Sequence, residues 1–243
     1  MIKNIWQNFL IIPFLNALLL LNYFIGNLGG AIIALTIILK TITAPVGVSQ
    51  LKTQTKRAEL QEELDKLKEK HKDKQKLSKA QMELYKKNGI SPASGCLPMV
   101  VQLVVFIALY RVFMSSLNNG IDTSVLYFDF LKNATINLNF LYLDISKPDP
   151  YYILPIIAGI SQFLLSKSFM SKAKVDKELA KETAGKKDDM MANMQQQMLY
   201  VTPIMTIFIG IKLPSGLVLY WLVSTLYAYI QNIIIKKYFL KAN

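Results

Sequence analysis

Long apolar runs alternate along this chain with short segments dense in lysine. Five runs reach or approach bilayer-crossing length: 28–48, 94–116, 151–170, 199–212 and 215–235. About twenty residues at ~1.5 Å of helical rise each span the hydrocarbon core of a membrane. The fourth run is short; its helix is expected to begin earlier, in "MMANMQQQM", and "KLPSG" after it predicts a tight turn. The expected fold is all-α: a polytopic membrane protein with a five-span helical bundle. The spans are placed at 28–49, 94–117, 151–170, 196–213 and 214–235, with a connection over 118–150, a loop over 171–195 and a tail over 236–243.

The first 27 residues, ending "LLLLNYFIGN", are apolar but interrupted by Pro13, Asn16 and Asn22. A sixth span or an uncleaved signal anchor over 10–25, and an amphipathic helix lying in the outer interface over 1–27, are both open. Trp6 and Tyr23 suit an interface, so the interfacial helix is preferred.

Residues 50–93 carry a second periodicity. Leu60, Leu64 and Leu67 recur at i, i+4 and i+7, and Leu77, Ala80 and Leu84 at i, i+3 and i+7, on either side of "KHKDKQ". This predicts a helical hairpin with Asp73 or Ser78 capping its second arm. In 171–195, "SKAKVDKELAKETAGKKDD" has mixed charge and no apolar face, so a flexible loop is expected there.

Composition agrees with a membrane protein. Of 243 residues 52% are hydrophobic, yet the formal net charge is +12. The lysines crowd into 50–92, 167–187 and the tail, whereas 117–150 holds only Lys132 and Lys147. By the positive-inside bias the crowded segments are cytoplasmic, the N-terminus outside and the C-terminus inside, as in a multi-pass protein of a bacterial inner membrane. This distribution also accounts for the basic balance without a specific nucleic-acid partner. A single cysteine and a single histidine make an intrachain disulfide impossible and a metal site or cofactor unexpected.

The apolar runs contain no Asp or Glu, but the first contains Lys40 near its middle. Insertion scales place such a charge at about 2.5–3.5 kcal/mol. Each end of the run is roughly 15 Å away at helical rise, beyond the reach of a lysine stem. Either the amine gives up its proton or it faces a water-filled cavity. Polar residues favour the cavity. Thr36, Lys40, Thr43 and Gly47 form one stripe, Tyr220, Ser224, Tyr227 and Gln231 another, and Gln102 interrupts the second span. Any single threonine or serine among them is ordinary packing material between membrane helices; the lysine is not. No nucleophile–base pair is visible, so the chain is not expected to be an enzyme.

Four stretches carry a resemblance, in order: "GNLGGAIIALTIILKTITAPV", "MELYKKNGISPASGCLPMVVQLVVFIALYRVF", "DPYYILPIIAGISQF" and "KLPSGLVLYWLVSTLYAYIQN". Together they resemble the YidC/Oxa/Alb family of membrane-protein insertases, in a bacterial short form without a large external domain. The resemblance implies five core spans around a hydrophilic groove open to cytoplasm and lipid, with an interfacial helix before the first span. It places Lys40 where the family usually has arginine, Thr36 at a sensitive polar position, and Tyr220 with Trp221 beside the substrate path. It further implies nascent membrane proteins as substrates, the hairpin leucines as their receiving surface, and the ribosome and a Sec translocon as partners. The rival functions are a small-solute transporter or channel, and a lipid scramblase, each using the same groove.

Overall fold

The structure is a computed structural model that describes residues 6–71, 73–90, 97–117, 122–169 and 190–238. The flexible loop expected over 171–195 lies outside these residues up to 189, as does the end of the basic tail.

A π-helical turn, Gln7–Ile11, leads into α1, Ile12–Ile25. Gly26 then takes a left-handed φ of 76° that closes α1, a conformation glycine adopts without steric cost. Asn27 follows in extended backbone and caps α2, Leu28–Ile42, its Oδ1 accepting from Gly30 N at 3.1 Å. The two-residue turn "GN" thus folds α1 back along α2. Thr43 separates α2 from α3, Ala44–Glu59, since Pro45 has no N–H for the carbonyl of Thr41. The helix therefore runs through residue 49 without interruption, and the breaks fall at Thr43 and Leu60 instead of at the 49/50 boundary expected from hydropathy.

Two shorter helices follow, α4 (Gln61–Lys70) and α5 (Lys74–Lys87), with the Asp73 side chain capping α5 through Gln75 N at 2.9 Å. Leu60 and Leu64 are buried with Tyr85 and Ile90, and Leu84 packs on them. Leu67 and Leu77 are half-buried and belong to no such cluster. The remaining helices are α6 (Leu97–Arg111, continuing as a π-helical turn to Leu117), α7 (Ile153–Phe169), α8 (Met190–Gly210) and α9 (Ser215–Tyr238). Helix α8 begins in the methionine-rich stretch, as the sequence predicts.

The connection between α6 and α7 is an ordered cap. It holds two 3-10 turns and a small antiparallel hairpin, β1 (Asn139–Phe140) with β2 (Leu143–Asp144). Asparagines tie it to α1. Asn16 donates from Nδ2 to Val125 O at 3.0 Å and accepts from Tyr127 N at 2.7 Å, and Asn22 donates to Thr135 O at 3.1 Å. The polar residues that interrupt the first apolar run are therefore buried docking points for cap backbone. Asn16→Ala removes the partner of two part-buried backbone groups, Val125 O and Tyr127 N, at a cost of about 1 kcal/mol. Its melting temperature in detergent is expected to fall by several degrees, while the exposed Asn133→Ala stays within about a degree of wild type.

The cap also supplies the helix starts. Asp149 is buried and accepts from Tyr151 N, Leu154 N and the Tyr142 hydroxyl, which fixes the N-terminus of α7. The first amides of α9, Ser215 N and Gly216 N, donate to Lys147 O at 2.8 Å and Ile145 O at 3.0 Å. Hydrogen bonds from Lys147 and Ser146 hold the Asp144 carboxyl below the usual carboxylate range.

Side-chain packing is graded from end to end. Leu18, Leu19, Leu28, Ile32, Phe113, Ile145, Leu217 and Val218 form the centre of the main core, all at the capped end. Along α2 the last buried residue is Thr36, and none of the described positions from 37 to 59 is buried. On α6 the described positions before Ala108 are likewise not buried. Helices α2 and α6 are enclosed under the cap and carry no fully buried described residue beyond it, whereas α7, α8 and α9 stay packed, with Leu165, Leu199, Asn232 and Ile235 buried.

Candidate functional site

Lys40 sits one turn past the point where α2 leaves the core. Its Nζ donates to Gln102 Oε1 of α6 at 2.8 Å. Among the described residues no carboxylate pairs with it. The bond joins α2 and α6 where neither has a fully buried described residue, so an amine and an amide bridge the mouth of the seam. A neutral acceptor orients the ammonium without cancelling its charge.

Helix α9 forms the adjoining wall. Tyr220 is buried, with its hydroxyl beside Gln102 and Ser224. Ser224 Oγ is buried too and makes no well-formed hydrogen bond within the protein. Lys40, Gln102, Tyr220 and Ser224 thus form one polar patch from three helices. Trp221 turns to the side, its ring edge-on to Phe106 with centroids 5.8 Å apart.

The rest of the two stripes packs helix to helix. Thr36 is buried and its Oγ1 donates to Ile32 O at 2.6 Å; Thr43 Oγ1 donates to Leu39 O at 2.8 Å. Thr41 and Tyr227 exchange a hydroxyl hydrogen bond at 3.1 Å, and Gln231 Nε2 donates to Ala44 O at 2.8 Å while its amide lies against Gly47. Sequence spacing groups Thr36 and Thr43 with Lys40, but their hydroxyls are occupied by their own helix. Sequence spacing also leaves Lys40 without a partner inside the membrane runs; Gln102 is that partner. The signal for it was the single amide in the second run, and the pairing depends on how α2 and α6 meet.

A polar cluster missed in the sequence lies at the far end of the α7–α9 contact. Asn232 Nδ2 donates to Ser168 Oγ at 2.6 Å, and Lys236 Nζ donates to Ser168 O. It closes the uncapped end of α7, whose final carbonyls have no helical partner.

The family of the 60Kd inner membrane protein matches residues 20–242. The chain belongs to that family. Within it, the chain is 37% identical to the membrane protein insertase YidC of Fusobacterium nucleatum over 88% of each sequence. It is 34% identical to YidC 1 of Bacillus anthracis over 96% of this chain and 82% of that one. Other relatives are longer: the chain spans 66% of YidC 2 of Listeria innocua and 38% of YidC of Geobacter sulfurreducens. Among solved structures, an active YidC insertase with its first transmembrane domain resolved aligns with a TM-score of 0.60 at 24% identity. That alignment covers 96% of this chain and 47% of the other, and it establishes the YidC fold for this helical arrangement. The relatives are bacterial membrane proteins, and the long apolar helices Gln7–Ile25 and Ser215–Tyr238 are each of crossing length.

Proposed function

We propose that this YidC-family chain is an insertase that passes short polar segments of nascent membrane proteins through a wet intramembrane groove. Apolar segments would leave sideways into lipid. In this reading the capped end faces outward, the hairpin of α4 and α5 with the basic tail faces the cytoplasm, and α2, α6, α7, α8 and α9 are the five spans. Helix α1 lies along the outer interface. The ribosome and a Sec translocon are the partners it would serve beside.

One observation carries the proposal. The Lys40–Gln102 bond stands where the core ends, between helix halves with no fully buried described residue, and among the described residues no carboxylate neutralises it. A cation so placed attracts an acidic segment entering from the open end, and the packed cap stops it from crossing freely. The Ile153, Ile156, Ile157, Ile160 and Leu164 face of α7 and the Ile230, Ile233 and Ile234 face of α9 are exposed and apolar. They suit the path of a hydrophobic segment into lipid. The driving force is the substrate's own burial, about 25 cal/mol per Å² of apolar area, so no energy source is required of the protein.

The test reconstitutes the protein in liposomes with a single-spanning substrate bearing a short acidic external tail. Protease-protected tail should accumulate several-fold above empty vesicles, without saturable flux of small solutes. Solute flux without insertion supports a transporter, and headgroup exchange without insertion supports a scramblase. Deleting Leu60 to Leu84 should abolish crosslinks between nascent chain and protein; undiminished crosslinking counts against a receiving role for the hairpin.

A further inference from the structure

The cap ends in an exposed apolar tip. Leu141 stands at the turn of the β1–β2 hairpin, 85% exposed, with φ of 53°. Tyr152, at the start of α7, is half exposed with φ of 59°. Among the described residues these two alone, outside glycine, have left-handed backbone. Leucine and tyrosine are poor choices for that conformation, which glycine or asparagine adopts at lower cost. Strain retained at an exposed site points to a use for the side chain.

The two positions belong to one patch. Tyr142 follows Leu141, and its ring lies 5.9 Å from that of Tyr151, beside Tyr152. From Tyr152 the patch continues without a polar break into Ile153, Ile156, Ile157, Ile160 and Leu164, the exposed stripe of α7. A leucine at the tip, tyrosines around it and an aliphatic helix face below match the layering of a bilayer. Tyrosine rings settle at headgroup depth and aliphatic groups below it.

We propose that Leu141, with Tyr142, Tyr151 and Tyr152, inserts into the outer leaflet and pins the cap to the phospholipid interface. The occupant is lipid, because the patch is continuous with the lipid-facing stripe of α7. Lys147 is paired to Asp144 at 2.8 Å, and the Asp149 carboxylate is buried beneath Tyr142 and the start of α7, so insertion is expected to require no anionic headgroup. The inference rests on the membrane topology proposed above. It assigns the hairpin a role distinct from the groove: holding the outer closure in place while the open end works.

The experiment replaces the chain's single cysteine, Cys96, with serine and attaches an environment-sensitive fluorophore at Leu141→Cys, at Tyr152→Cys or, as an aqueous reference, at the exposed Lys79→Cys. Each protein is reconstituted in phosphatidylcholine vesicles containing lipids brominated at shallow or deep acyl positions. Probes at 141 and 152 are expected to be quenched at least twofold more by shallow bromines than the probe at 79, and to resist aqueous iodide. Adding phosphatidylglycerol should leave this unchanged. Carbonate-resistant protein whose 141 and 152 probes are quenched by iodide, and no more by bromolipid than the reference, overturns the inference alone. Protein released by carbonate refutes the membrane topology and the inference together. Lipid quenching that disappears when an insertion substrate is added assigns the tip to substrate and also overturns it.

Discussion

Lys40→Glu is expected to lower insertion of an acidic-tailed substrate at least tenfold in proteoliposomes, while Lys40→Arg inserts as well as wild type. Arginine can donate to Gln102 Oε1 as lysine does. Glutamate can accept from the Gln102 amide once that group rotates, so the helix pairing survives in all three proteins. What changes is the sign of the charge met by the entering tail. Two unit charges about 4 Å apart interact by ~4 kcal/mol at an effective dielectric near 20. Even a groove wet enough to screen most of this leaves the ~1.4 kcal/mol that a tenfold change requires. A neutral-tailed substrate should show little difference between the variants. Equal insertion of the acidic tail by all three would remove Lys40 from the mechanism. Lysine and arginine separate as the pH rises: wild type should lose activity that Lys40→Arg retains, because a lysine amine can shed its proton and a guanidinium does not.

Gly216→Ala should be the most damaging small substitution at the capped end. Its Cβ would lie 2.3 Å from Phe113 Cζ and 2.6 Å from Ile145 Cγ2. Both neighbours are buried in the main core, at 2% and 0% exposure, so neither can turn aside. Overpacking of this kind costs typically 1–3 kcal/mol, and a clash with two enclosed groups belongs at about 3 kcal/mol. The displaced residue also carries an amide that the cap satisfies through Ile145 O, so loosening there weakens the closure as well as the packing. Thermal unfolding in detergent should drop by roughly 6–12 °C at ~2–4 °C per kcal/mol. Proteoliposomes should become leaky to small ions. Adding Phe113→Leu removes the nearer ring and should recover at least half of the loss. A melting temperature within a degree of wild type would show that the α9–cap contact is looser than its geometry implies.

Much of this arrangement was legible before any tertiary contact. The positions of α2, α6, α7, α8 and α9 follow from apolar runs long enough to demand helix, and the sequence offers Asp73 and Ser78 as caps for α5, of which the structure uses Asp73. The odd status of Lys40 was legible too, because a charge in an apolar run stands out whatever surrounds it. Other features were not. Leu60 and Leu64 announce a seam, but the residues that meet them, Tyr85 and Ile90, have no shared period with them. Asn16 and Asn22 look like defects in an apolar helix until the cap backbone, more than a hundred residues later, supplies their partners. The connection between α6 and α7 carries weak local signals, since its order comes from bonds to α1, α7 and α9 and not from its own propensities.

The division has a physical basis. Local sequence determines whether a segment is apolar enough to be a helix in lipid, where its breaks fall, and which residue bears an expensive charge, because these depend on side chains a turn apart. Only the tertiary structure decides that Lys40 meets Gln102 while Thr36 is consumed by its own helix, and that α2 is enclosed under the cap but has no fully buried described residue beyond Thr36. Those outcomes depend on which helix faces cross at which depth. A threonine in a stripe can bond its own backbone or a neighbour at nearly equal cost, so spacing cannot choose between them. The approach of α2, α6 and α9 chooses, and it leaves the lysine held by a neutral amide with no described carboxylate beside it.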